Sequence, residues 1–233
     1  MAYDVVVFGA HPDDAEMGMG GTVAKLAGAG RSVLVVSLTR GEHGTYGSQT
    51  EREREAAAAA RILGCETRLL DFPDTAVEYS HESRSRLMRL LRDLAPRLVF
   101  APYHTNRFGH HDGAAHVDHL ATGTLVRDAV KLARMRGLEP ERPAHDVQRL
   151  FYYMVPRDRY PTFVVDVSGE METLVRALQA YETQMRITRQ GNAILDILQT
   201  YRRYYGVAAG SSHAEAFLSE EALRADADTL FRL

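Results

Sequence analysis

The sequence predicts an α/β domain built on a doubly wound, Rossmann-like and mostly parallel sheet flanked by helices, and three features predict it. Short apolar runs rich in β-branched residues alternate with helical stretches, the first of these runs stops at glycine, and chemically active residues collect just after such runs. Runs that are apolar on both sides of the pleat belong to strands covered on both faces. A β-α alternation with right-handed crossovers joins such strands into a parallel sheet.

Val5-Val6-Val7-Phe8 is the first run, stopped by Gly9. A glycine-rich stretch and a helix over about Gly21 to Gly30 follow, and a second buried strand runs from Ser32 to Leu38. Glu51 to Leu63 is dominated by Ala, Glu and Arg, strong helix formers, and ends at Gly64. Arg68 to Leu70, His81 to Leu94 and Leu98 to Ala101 continue as strand, helix and strand, and Ala114 to Met135 reads as a further helix. Residues 137–143 concentrate Gly, Pro and charge and mark a loop. Strands over Leu150 to Val155 and Phe163 to Val167 follow, then helices over about Glu170 to Thr188 and Asn192 to Tyr205. The simplest organisation is a single domain over residues 1–233, with a core over 1–135 and a C-terminal elaboration over 136–233.

The 233 residues carry 28 Lys and Arg against 31 Asp and Glu, a net charge of −3, so no basic excess points to a nucleic-acid partner. Cys65 is the single cysteine, which excludes an internal disulfide and a cysteine-based zinc knot. No stretch approaches the roughly 20 apolar residues of a membrane span, and no basic leader precedes the first strand. A soluble cytoplasmic protein with a small-molecule partner is the expectation.

The first strand runs into Ala10-His11-Pro12-Asp13-Asp14-Ala15-Glu16. Loops at the carboxyl ends of strands are where open α/β sheets bind ligands. A histidine and two carboxylates within four residues supply the nitrogen and oxygen donors that zinc accepts, and Pro12 stiffens the turn. One Asp can bind the metal while its neighbour faces a bound water; the alternative is that both simply cap the next helix. A second cluster, His104, His110, His111, His116 and His119, follows the strand Leu98 to Ala101 and includes Asp112 and Asp118. His110 and His111 also suit a solvated loop. His116 and His119, three residues apart, share a face at a helix start. If the fold joins the two clusters, one His, one Asp and another His can surround an ion and leave a fourth position for water, which is the layout of a catalytic zinc site. Asp13 is then the natural base.

These residues resemble the PIG-L-like N-acetylglucosaminyl deacetylases, most closely the branch that serves bacillithiol biosynthesis. The family's Ala-His-Pro-Asp-Asp pattern with its glycine-rich turn stands at Ala10 to Gly21, and its His-Pro-Asp-His element at His116 to His119, with Val117 in place of proline. Further landmarks are Leu38 to Glu42, Arg52 to Gly64, Phe72-Pro73-Asp74, Val99 to Tyr103, Tyr181 to Gln184 and Ala214 to Phe217. The resemblance implies zinc (Zn2+), or another divalent ion such as Fe2+, held by His11, Asp14 and His119. It implies Asp13 as general base and His116 as the group that protonates the leaving amine or stabilises the oxyanion. It further implies Arg52 on the anionic end of the substrate, N-acetylglucosaminyl malate as that substrate, and a homo-oligomer, trimer or hexamer.

Several positions depart from the pattern. Ala115 stands where the family carries arginine, a role Arg107 is the candidate to recover, and Phe108 to Ala114 resemble an insertion in which His110, His111 and Asp112 could wall the pocket. Asp146 replaces a further arginine, with Arg149 nearby, and a pocket tyrosine of the late helical region has no clear counterpart. Arg52 has a second reading as a solvated helix face among Glu51, Glu53, Arg54 and Glu55. Gly18, Gly20 and Gly21 lack the spacing of a dinucleotide fingerprint and read as close packing of the first helix beneath the metal loop. Tyr201, Tyr204 and Tyr205, at helical spacing, read as core or interface. Two other function classes compete: a non-catalytic nucleotide-binding module whose glycine-rich loop cradles phosphate, and a phosphoesterase, which would need carboxylates for a second metal.

Overall fold

Five strands, β1 (Val5–Gly9), β2 (Val33–Ser37), β3 (Glu66–Leu69), β4 (Leu98–Pro102) and β5 (Arg149–Tyr153), pair in parallel in the order β3-β2-β1-β4-β5. This computed structural model describes residues 2–105, 116–224 and 226. The expected doubly wound sheet is present, and its fifth strand comes from the stretch assigned to the C-terminal elaboration.

Helices α1 (Asp14–Gly28), α2 (Gln49–Leu63), α3 (His81–Leu94) and α4 (Val117–Ala133) connect these strands, and α5 (Met171–Gln179) and α6 (Ile194–Ala208) follow. Alternate residues of each central strand feed opposite cores. Val6, Phe8, Leu34, Val36 and Val99 join Leu87, Leu91 and Leu125 of α3 and α4 on one face. Val5, Val7, Val33, Val35 and Phe100 join Met19, Ala59 and Ala177 of α1, α2 and α5 on the other. Each fully buried Val or Leu of this kind stabilises the fold by about 1.5–3 kcal/mol. That two-sided burial is why these strands read as unbroken apolar runs.

Local chemistry sets the helix ends. Ser48 accepts the amide of Glu51 at 3.3 Å and Glu51 accepts the amide of Ser48 at 2.7 Å, a reciprocal cap that begins α2 two residues before the expected start. Gly64 closes it in the left-handed region at φ 75°. Helix α4 begins at Val117, not Ala114.

Two expectations need correction. Helix α1 begins at Asp14 and passes through the glycines, broken only at Met19, where φ is −151°. The glycines admit neighbours and do not form a loop: a Cβ on Gly18 would stand 2.3 Å from the Tyr153 ring, and one on Gly20 2.7 Å from Leu174. The helix expected over Glu170 to Thr188 ends at Gln179. Glu55 takes the Thr183 amide at 2.8 Å and its hydroxyl at 2.7 Å, turning the chain. A short hairpin, β7 (Thr188–Arg189) and β8 (Asn192–Ala193), follows around Gln190 and Gly191, both at positive φ. Strands β6 (Phe163–Asp166) and β9 (Ala214–Phe217) form a separate antiparallel pair. Among the described residues no helix is long and apolar enough to cross a membrane.

Helix α4 lies against the end of β4 at Gly123, where an added Cβ would meet the Pro102 carbonyl oxygen at 2.2 Å and His104 Cβ at 2.9 Å. A backbone carbonyl cannot swing aside as a long side chain can. Gly123→Ala should therefore lower stability by about 1–3 kcal/mol, read as a lower midpoint in urea denaturation.

Candidate active site

The strand order places the reversal of winding between β1 and β4, since the chain proceeds from β1 outward through β2 and β3 and returns to start β4 on the other side. Connections leave the carboxyl ends of these two neighbours in opposite directions and open a crevice there. The loop after β1 carries His11 to Asp14, and the segment after β4 leads into His116 to His119 at the start of α4.

The first loop is held by its own carboxylate. Asp14 Oδ2 accepts the amides of Ala10 and His11, each at 2.8 Å, which leaves Oδ1 for His119 Nε2 at 2.9 Å. Asp13, just before α1, is held at φ 112°, a costly conformation for a residue with a Cβ and one that occurs at functional sites. His11 turns Nδ1 to Asp14 Oδ2 at 3.6 Å and Nε2 to Asp74 Oδ1 at 3.0 Å and Asp118 Oδ2 at 3.2 Å. His116 caps α4 by accepting the Asp118 amide at Nδ1, 3.2 Å away. The rings of His11, His116 and His119 form a triangle with centroids 4.9–5.3 Å apart.

Burial penalises every charge in this cluster, and the neighbours decide which charges persist. Burial disfavours the His11 cation, but Asp118, Asp14 and Asp74 outweigh it and push its pKa up to about 12. Burial acts against the Asp14 carboxylate too, yet His119 and His11 hold its pKa well below the usual range. Asp13 goes the other way: burial, with the charge of Asp14, lifts it to about 7 against the pull of Arg52.

The donor set fits a divalent metal. Among the described residues the imidazoles of His11, His116 and His119 converge as one donor group, Asp14 Oδ1 stands 2.9 Å from His119 Nε2 and can add an oxygen donor, and the buried His119 Nδ1 has no hydrogen-bond partner. A second convergence, His11 with Asp74 and Asp118, serves as support. Asp118 receives the amides of Thr75 at 2.7 Å and Val77 at 3.2 Å, and Asp74 the amide of His43 at 2.8 Å, so these carboxylates are fixed in place to orient His11.

Arg52, 4% exposed, is no part of a solvated helix face. Its Nη2 donates to Pro12 O at 2.6 Å and Asp13 Oδ2 at 3.1 Å, and Nη1 to Gly41 O at 3.2 Å. Arg107, with Phe108 to Ala114 and so His110, His111 and Asp112, lies outside the described residues.

A cavity of about 1070 Å³ opens over the cluster, bordered by His11, Asp13, His116 and His119 and, elsewhere on its wall, by Tyr201 and Tyr205 of α6. Neither tyrosine is in the core, and Tyr204 is 64% exposed. The break in α1 is secured from the same wall. Arg202 Nη2 donates to the Met17 carbonyl at 2.8 Å, and Glu215 accepts the amides of Gly21 at 3.0 Å and Thr22 at 2.7 Å. The two side chains pair at 2.7 Å. Asp74 and the Arg202–Glu215 pair were not assigned a role from sequence. Asp74 lay in the Phe72-Pro73-Asp74 landmark and Glu215 in Ala214 to Phe217, but what they touch depends on packing between distant segments.

A His–carboxylate centre over the switch point of a parallel sheet defines this molecule as a Rossmann-like α/β domain of enzymatic design. The chain belongs to the PIG-L family: residues 6–130 match the family described as GlcNAc-PI de-N-acetylase. It is 30% identical to the diacetylchitobiose deacetylase of Thermococcus kodakarensis over 226 residues, which span 88% of this chain and 78% of that one. A conserved Thermus thermophilus protein of known structure is 36% identical, with a TM-score of 0.86 over 97% of this chain and 98% of the other. The N,N'-diacetylchitobiose deacetylase of Pyrococcus horikoshii is 28% identical, with a TM-score of 0.81 over 93% of this chain and 83% of that one.

Removing one member of the buried Arg202–Glu215 pair strands a charge in the interior. Arg202→Met should cost about 3 kcal/mol or more, measured as the loss in unfolding free energy in guanidinium.

Proposed function

We propose that this chain hydrolyses the N-acetyl group of an N-acetylglucosamine-type conjugate, releasing acetate and the free amine. The observation that carries this reading is the placement of Asp13, buried beside the His11, Asp14 and His119 donors, on the wall of a cavity large enough for a sugar. Membership of a family with deacetylases among its members supports it.

A divalent metal, zinc or Fe2+ in this reading, would be held by His11, Asp14 and His119, and when bound supplies Lewis acidity toward the acetamide carbonyl and lowers the pKa of water. Asp13 takes the proton of the attacking water, a task suited to a carboxylate whose pKa burial has raised to about 7. Arg52 keeps that carboxylate in place through its 3.1 Å contact. His116 accepts the Asp118 amide at Nδ1, so the proton of its neutral ring sits on Nε2, from which it can bond the developing oxyanion or pass to the leaving amine.

N-acetylglucosaminyl malate, the substrate of the bacillithiol branch, is the finer form of this reading. Arg52, offered from sequence for its anionic end, instead faces Asp13 and two carbonyls. We therefore propose the class and keep the malate conjugate as one substrate to assay. A cytoplasmic location, proposed from composition, and a trimeric or hexameric homo-oligomer, proposed from the resemblance, belong to the same reading. The nucleotide-binding alternative loses its phosphate cradle, because Glu215 already occupies the amides of Gly21 and Thr22.

Exhaustive chelation should abolish acetate release from N-acetylglucosamine conjugates and added zinc should restore it; full activity in metal-free protein would overturn the reading. Asp13→Asn, close in shape to the native residue, should retain bound metal by elemental analysis while kcat falls by roughly 10²- to 10⁴-fold.

A further inference from the structure

The loop between β2 and α2 is clasped to the segment that carries Asp74. His43 donates its amide to Asp74 Oδ2 at 2.8 Å, its ring Nδ1 lies 3.1 Å from the Asp74 carbonyl oxygen, and Glu42 Oε1 accepts the Asp74 amide at 3.0 Å. Further along, Gln184 Nε2 donates to the Tyr46 carbonyl at 3.0 Å, so the loop is pinned again beyond His43. Asp74 Oδ1 stands 3.0 Å from His11 Nε2. A single carboxylate thus separates His43 from His11, and both histidines border the cavity over the cluster.

The clasp decides the tautomer of the His43 ring. A carbonyl oxygen can only accept, so Nδ1 donates, and in the neutral imidazole Nε2 is then an acceptor. The residue is exposed, and among the described residues Nε2 has no protein partner. The polar groups beside it are already engaged: Arg52 is turned to Pro12, Asp13 and Gly41, and both carboxylate oxygens of Asp74 have protein partners. His43 therefore offers the cavity an acceptor that is held in place through its other nitrogen. An acceptor fixed in advance takes a hydroxyl at little cost in ordering. On an N-acetylated pyranose the amide N–H belongs to the reacting group, so the donors that remain for His43 are hydroxyls.

We propose that His43 is a specificity-determining residue: its Nε2 accepts one hydroxyl of the ring that bears the acetamide, and so selects rings that carry that hydroxyl. The proposal rests on the deacetylase reading for the identity of the ring. A bond to a hydroxyl remote from the reacting amide contributes equally before and during the reaction, so it belongs in KM and leaves kcat alone. A His43 that served only to hold Asp74 behind His11 would act in the opposite way, through kcat.

The test uses the zinc-loaded protein and the methyl glycoside of N-acetylglucosamine, with its 3-, 4- and 6-deoxy analogues. His43→Asn keeps an amide nitrogen where Nδ1 stands, and with it the bond to the Asp74 carbonyl, but carries nothing at the place of Nε2. On the parent glycoside it should raise KM by about three- to tenfold, the range of one neutral hydrogen bond, with kcat little changed. The native protein should lose a similar factor on one of the three deoxy analogues, and His43→Asn should lose nothing further on that same analogue. His43→Ala gives the same comparison if His43→Asn does not fold. A variant that responds to every deoxy analogue as the native protein does, or whose loss lies in kcat with KM unchanged, overturns the proposal. If the native protein releases no acetate from the parent glycoside, calorimetric titration with the same four compounds decides His43 by the same comparison of affinities. Failure of the deacetylase reading is seen separately, as absence of acetate from the glycoside, from N,N'-diacetylchitobiose and from the malate conjugate alike.

Discussion

Parallel pairing of β1 with β4 is the constraint from which the rest of the site follows. Val5 to Val7 lie in register with Leu98 to Phe100, so the two strands finish side by side although about ninety positions separate them in the chain. Everything of chemical interest is attached to those two ends. The loop after β1 and the start of α4 bring histidines from opposite ends of the family match to within 5.3 Å, ring to ring. A sheet wound in one direction only would send one of the two connections over the far side and leave two half-sites.

Bringing Asp14, Asp74 and Asp118 around one imidazole concentrates negative charge where water cannot screen it. The fold answers with fixed amides and buried cations. Backbone N–H groups of Ala10, His11, His43, Thr75 and Val77 point into these carboxylates, and such bonds to an ionised acceptor are roughly twice as strong as neutral ones. Arg52 faces the remaining member, Asp13, and reaches the carbonyl of Gly41, whose φ of 67° lies in the left-handed region that favours glycine. The same solution recurs at the break in α1, where Arg202 supplies a donor to the Met17 carbonyl and Glu215 supplies acceptors to the Gly21 and Thr22 amides. In both places an arginine that resembles a surface residue by its neighbours in sequence is buried by its neighbours in space.

How much of this could be read from residues alone depended on the range of the forces involved. Strands β1, β2 and β4 are apolar on both faces and were legible as such, whereas β3, Glu66 to Leu69, alternates exposed and half-buried positions at the sheet edge and gave only a faint signal. The cap at Ser48 and the closing Gly64 are local, and α2 was placed to within two residues. The end of α5 was not legible, because Glu55, from another helix, holds Thr183 out of helical register. Of the site, His11, Asp14, His116 and His119 declared themselves by motif, and the structure brings them together. Asp118 sat within the motif without a role until Thr75 and Val77 were seen to orient it toward His11. Helical spacing at Tyr201, Tyr204 and Tyr205 does not tell a cavity wall from a packed seam, and of the three Tyr201 and Tyr205 line the cavity.

The acceptors that Glu215 provides for the middle of α1 lie 194 and 193 residues away from the amides they serve. During synthesis the first helix therefore emerges with its second segment uncapped, and it acquires its final form only when β9 has been made and docked. The helix that follows the His11–Asp14 loop is thus completed by a residue 193 and 194 positions further along the chain. Contacts of such separation slow folding, because long loops must close before they bring any stabilisation. The order of assembly follows: the His11–Asp14 loop, held by local bonds, can form early, while the second segment of α1, from Gly20 onward, settles late.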